Sequence, residues 1–185
     1  AVLLENGSVT QDGHIDEVMN AYLNVDTGIP PEIVWDDPGT APGDDRVKLR
    51  SVRVTTGGRL LPEIDYSSDF DIEVEYQNEV PDSRIGVSIH VRNSRGDLIF
   101  TSGNTPDASE GIDPWYGKPF PMGSFITKCT VPGRMLNEGA YSVSVFLVGG
   151  FIKDDMARAP DSVSFQIKDM KRGERDYQGD WQGIV

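Results

Sequence analysis

Two short runs of the chain place chemically capable side chains at every second position. Gly86, Ser88, His90 and Arg92 form one run; Ser142, Ser144 and Phe146 form the other. On extended backbone a spacing of two puts each set on one side of its strand. Together they would offer a shallow floor of small residues, hydrogen-bonding walls and one aromatic platform. The intervening residues are apolar, so the polar sets face solvent if the apolar ones face a core. Glu73 and Glu75, outward on a third strand, could add hydrogen-bond acceptors. A plain solvated sheet face would also account for the serines and glycine. Phe146 is harder to leave exposed, and a ligand, the edge of a second sheet or a dimer mate could each cover it.

A second group lies in the long segment from Ser102 to Gly123. Asp107, Glu110, Asp113, Trp115, Tyr116 and Phe120 occur there among Pro106, Pro114, Pro119 and Pro121. Trp115 and Tyr116 could stack on a ligand, or they could pin the loop over an open end of the fold. The three acids do not follow the alternation of an EF-hand loop, so they make no case for Ca²⁺. Cys129 is the only cysteine, which excludes an intrachain disulfide and a zinc site built on several cysteines. His14 and His90 are the only histidines, leaving little from which to build a histidine metal site or a Ser-His-Asp triad. Glu73 and Glu75 sit ~7 Å apart along one strand. They would flank one side of a ligand, whereas a glycosidase needs carboxylates across a cleft. No metal, cofactor or catalytic residue is assigned.

The elements that must position these groups have a period of two from Arg46 onward. Val47 and Leu49, then Val52 and Val54, predict a strand with a slip near Ser51. Phe70, Ile72, Val74 and Tyr76 alternate with Asp71, Glu73, Glu75 and Gln77. Ile85 to Val91, Leu98 to Thr101, Phe125 to Val131, Tyr141 to Leu147 and Val163 to Ile167 complete the series. Seven or more short strands with Gly and Pro turns predict an all-β fold, an antiparallel two-sheet β-sandwich of immunoglobulin-like or jelly-roll type. Roughly twenty inward side chains at about 1.5–3 kcal/mol each would supply an adequate gross core.

The 185 residues carry 17 Lys and Arg against 30 Asp and Glu, a formal charge of −13. Residues 1–45 hold ten of the acids and no Lys or Arg, whereas residues 46–185 are near balance at −3. The acidity argues against nucleic acid and anionic lipid, and no apolar run is long enough to span a membrane. Residues 28–45, with four prolines, read as an acidic linker that Trp35 could staple to a domain surface. Ahead of it, Ala1 to Gly13 reads as a hairpin turning at Asn6-Gly7. A helix follows, with Ile15, Val18, Met19, Tyr22 and Leu23 on one face. Such a remnant cannot fold alone and reads as the end of another domain.

These residues resemble a known family. LLENGSVTQDGHIDEVMNAYL is similar to the end of the ATP-binding domain of ABC transporters, and its closing NAYL to the subgroup that exports cell-surface polysaccharides. Asp69 to Tyr76, Gly86 to Phe100, the L-x-x-G-x-Y run Leu136 to Tyr141, and the G-x-W-x-G-x-V ending from Gly179 to Val185 resemble its strand phrases. In order, they resemble the C-terminal domain of the Wzt family, the ATP-binding subunits of O-antigen polysaccharide ABC exporters. The nucleotide-handling motifs are absent from this stretch, so it cannot hydrolyse ATP.

The resemblance implies a non-catalytic, cytoplasmic carbohydrate-binding domain that recognises the modified non-reducing terminus of the polysaccharide. It would be held at the inner membrane through the transporter's membrane subunit and would be a homodimer. Sugars need aromatic platforms and directional hydrogen bonds, so Ser88, His90, Arg92, Ser142, Ser144, Phe146, Glu73, Glu75, Trp115 and Tyr116 become the candidates. The expected organisation is an ATPase tail (1–27), the linker (28–45), the sandwich (46–169) and a C-terminal tail (170–185) that could contact a second subunit. A structural dimerisation sandwich and a jelly-roll glycosidase are the alternatives.

Overall fold

The computed structural model describes residues 1–5, 7–14, 18, 29–108, 111, 113–115, 117–150 and 154–170. The helix expected from Ile15 to Leu23, Glu110, Tyr116 and the tail beyond Met170 lie outside these residues, apart from Val18.

The chain opens with a hairpin of β1 (Val2–Glu5) and β2 (Ser8–Asp12). Gly7 in its turn has φ 79°, a left-handed conformation that glycine adopts without a Cβ penalty. Two five-stranded sheets follow. The first runs β10 (Gly123–Val131), β7 (Phe70–Asn78), β4 (Val47–Thr56), β3 (Glu32–Val34), with the short β5 (Arg59–Leu60) also on β4. The second runs β6 (Glu63–Asp65), β12 (Asp154–Lys168), β11 (Gly139–Gly149), β8 (Ile85–Asn93), β9 (Leu98–Gly103). All pairings are antiparallel except β6 with β12, which is parallel. The slip expected near Ser51 is present as a register shift between Leu49 and Ser51.

The core is the set of period-two apolar residues. Val52, Val54, Val91, Val143, Val145 and Val163 have no exposed surface. Phe70 of the first sheet packs on Phe165 of the second at 5.0 Å between ring centres, and Tyr141 stacks on Phe165 at 5.6 Å. The Tyr141 hydroxyl donates to the Asn137 carbonyl at 2.8 Å. That bond gives L-x-x-G-x-Y its physical meaning, a tyrosine corner that anchors the chain as it enters β11. Asn78 is fully buried and ties the β7–β8 turn to the start of β10. Its amide donates to the Val80 and Pro121 carbonyls, each at 2.8 Å, and its oxygen accepts from Ser83.

Residues 29–45, which composition assigns to a linker, belong to the sandwich. β3 is an edge strand on β4, Trp35 and Ile33 pack against the core, and Ala41 is buried. Proline lacks an N–H but keeps its carbonyl. Here the Pro31 carbonyl accepts from Val54 N–H, Pro42 from Leu49 and Pro30 from Ser164. The last of these crosses to β12 of the other sheet. The proline carbonyls therefore help to close one side of the sandwich, and Pro30 and Pro31 offer no N–H just ahead of the edge strand β3.

Candidate functional site

The outward face of the second sheet gathers most of the candidate residues. Arg92 lies opposite Ser142, His90 opposite Ser144 and Ser88 opposite Phe146 across the β8–β11 ladder. The alternation puts Val87, Ile89, Val143 and Val145 in the core, so their polar neighbours point away from it. His90 and Phe146 meet on the diagonal, with ring centres 4.5 Å apart and planes inclined at 44°. Diagonal neighbours are within reach of aromatic side chains in an antiparallel pair. Partial burial, and then the nearby Arg92 guanidinium, hold the His90 imidazole below its ordinary pKa. The ring is therefore neutral near pH 7, with one nitrogen donating and the other accepting. Gly86, at the end of this row, leaves room for Val148: a Cβ there would lie 2.8 Å from Val148 Cγ2.

A residue that the period-two pattern does not pick out completes the face. β12 bulges between Ala159, which pairs with Val145, and Val163, which pairs with Val143. The extra residues bring Asp161 over the two serines. Ser142 Oγ donates to Asp161 Oδ1 at 2.8 Å, and the Asp161 N–H donates to Ser144 Oγ at 3.0 Å. Asp161 has φ 41°, a conformation that Asp tolerates better than most residues. Its contacts bury Ser144 to 4 % exposure although that side chain faces outward. The sequence signal was Pro160, since a proline inside a strand marks a bulge or an edge.

The face thus presents an apolar ring pair, a carboxylate fixed over two hydroxyls, and the Arg92 guanidinium. Arg158, across from Phe146, is paired with Asp155. This arrangement can hold a neutral polyhydroxylated ligand: the rings take its C–H surface, while Asp161, His90 and Arg92 take hydroxyls.

Glu73 and Glu75 do not join this site. They lie on the outward face of the first sheet, on the opposite side of the sandwich, within a ladder of ion pairs. Glu75 accepts from Ser51 at 3.1 Å and lies 3.7 Å from Arg53; Lys128 lies 2.7 Å from Asp71 and 3.9 Å from Glu73. Trp115 does not join it either. Its ring packs at 5.3 Å on Phe120 and 5.6 Å on Phe125, closing one end of the core and pinning the loop. Cys129 is half-buried on β10, and burial pushes its thiol up from the ordinary value. Among the described residues, no three His, Cys, Asp or Glu side chains gather as a metal site, and no helix is long and apolar enough to cross a membrane.

No family model matches the chain, and neither does any curated protein. Among solved structures, the C-terminal domain of Wzt superposes with a TM-score of 0.60 over 94% of this chain and 95% of that one, at 17% identity. A Niemann-Pick type C2 protein from Japanese carpenter ant gives 0.43 over 69% and 97%, at 13% identity. Bacteroides uniformis beta-glucuronidase 2 gives 0.41 over 71% of this chain and 14% of that one, at 13% identity. The fold is that of the Wzt C-terminal domain.

Proposed function

We propose that this chain is a non-catalytic carbohydrate-binding domain. It recognises the modified non-reducing terminus of an O-antigen polysaccharide and so permits export by an ABC transporter. The observation that carries the proposal is the His90–Phe146 ring pair beside the Asp161-Ser142-Ser144 cluster on an open sheet face. Such a pairing of apolar platform and fixed hydrogen-bonding groups is what discriminates one sugar face from another. The likeness of the fold to the Wzt C-terminal domain over nearly the whole chain supports the same reading. A hydrolytic role is disfavoured by Glu73 and Glu75, neighbours on one strand that are already held among cations and hydroxyls.

In this reading residues 1–27 are the end of the ATPase domain. The protein is cytoplasmic, works as a homodimer and is held at the inner membrane by the transporter's membrane subunit. Calorimetric titration with capped and uncapped glycan ends tests it. The capped end should saturate the domain and the uncapped end should bind more weakly. Equal binding would contradict terminal recognition. No response to either would favour a sandwich that serves only dimerisation.

A further inference from the structure

The two sheets are joined along one side and parted along the other. β12 reaches Pro30 on one side, but on the other, among the described residues, β9 pairs only with β8 and β10 only with β7. Between these two edges lies an open cleft of about 910 Å³. Register fixes its walls. Thr127, Cys129 and Val131 point inward from β10, because they pair with the buried Val74, Ile72 and Phe70. Phe100 and Ser102 point inward from β9, opposite the buried Val91 and Ile89.

The polar groups along these walls are engaged within the protein. Ser102 Oγ donates to the Ala108 carbonyl at 3.1 Å, and the Thr127 hydroxyl and the Cys129 thiol lie beside the Tyr76 and Ser102 hydroxyls. Asn104 at one end accepts from Val87 N–H at 2.9 Å. What the walls offer a ligand is therefore apolar surface. The stretch from Thr127 to Val131 spans about 14 Å of strand, so the slot is elongated. Its rim is acidic, with Asp107 and Asp113, and Lys128, the one cation lining it among the described residues, is paired with Asp71.

We infer that this cleft is a second binding site, separate from the outward sheet face, which takes a linear aliphatic chain whose head is not anionic. The paired walls leave nothing to orient a polar ligand, and the rim carboxylates repel an anionic head.

Cys129, the chain's only cysteine, reports occupancy directly. The experiment follows its alkylation by N-ethylmaleimide in the whole chain, with monododecanoylglycerol or dodecanoate added below their aggregation thresholds. Free glutathione serves as the control thiol. At ten times its half-saturating concentration, monododecanoylglycerol should slow labelling of Cys129 about tenfold and leave glutathione unaffected, while dodecanoate has a much smaller effect. The Phe146→Ala variant should be protected equally, because its side chain lies on the other face of the sheet. An unchanged rate, equal protection by dodecanoate, or equal slowing of glutathione would overturn the inference. A failure of glycan binding would leave this result untouched.

Discussion

His90 on β8 and Phe146 on β11 stand two residues out of register and hold their rings 4.5 Å apart on the outer side of the second sheet. A half-buried phenyl ring on an outer sheet face has no reason to be ordered by the core beneath it. Here it is ordered by a neighbouring imidazole and backed by small residues, a platform assembled from two strands. Removing either ring should weaken glycan binding about tenfold, since a stacking contact contributes about 0.5–1.5 kcal/mol beyond its buried area. The melting temperature should hardly move, because neither ring belongs to the core. Titration of Phe146→Ala and His90→Ala, paired with thermal melts, checks both halves.

The same imidazole sets a pH dependence. Its pKa in the folded protein lies below the ordinary value of about 6.5. As pH falls through that value, the unfolded chain takes up a proton before the folded one does. The contribution of the neutral ring to stability is therefore present above about pH 6.5 and is lost progressively below it. Between pH 7.5 and 5, wild type should lose more stability than His90→Gln. Equal losses would show that His90 is not the titrating group, and an NMR titration of the ring would report the lowered value directly.

Asp161 combines a left-handed backbone with two serine contacts. Asp161→Ala removes the carboxylate and places a Cβ residue without a polar side chain in that conformation. The combined cost should be about 2 kcal/mol. Asp161→Asn tolerates the same backbone and keeps an acceptor, so its stability should stay within about 1 kcal/mol of wild type. Urea denaturation of the two variants measures this difference, and equal destabilisation would contradict this account of the bulge.

A chain beginning at Arg46 should be less stable than one beginning at Ile29. It lacks β3, the Trp35 and Ile33 packing, and the carbonyls of Pro30, Pro31 and Pro42 that receive Ser164, Val54 and Leu49. Loss of partly buried apolar groups together with several orphaned donors should lower the melting temperature by at least about 5 °C. Equal melting temperatures would mean that the segment is only attached to the sandwich.

Much of this fold is legible in the sequence because one physical rule, alternation, governs each strand. The inward sets around Val52, Val74, Ile89 and Val143 are buried, and the slip at Ser51 shows as a break in the same rhythm. Alternation says which side of its own strand a residue takes, but not which sheet the strand joins. Glu73 could be placed outward, yet only the pairing of β7 with β4 and β10 puts it on the face away from His90. Asp161 escapes the pattern because a bulge suspends it. Residues 29–45 escape because acids and prolines look like a linker, while what they contribute to the sandwich is backbone carbonyls and a few apolar side chains, Ile33, Trp35 and Ala41, which composition does not weigh. Trp115 illustrates a third limit: an aromatic residue in a proline-rich loop has the same local sequence whether it seals a core or waits for a ligand.

The central claim is that the outer face of β8 and β11 holds the glycan end. It is tested most directly by titrating one capped glycan into wild type, Phe146→Ala and Glu73→Gln under identical conditions. The two substitutions probe opposite faces of one sandwich. About tenfold weaker binding by Phe146→Ala, with Glu73→Gln unchanged, is the predicted result. Weakened binding by Glu73→Gln with Phe146→Ala unaffected would contradict it.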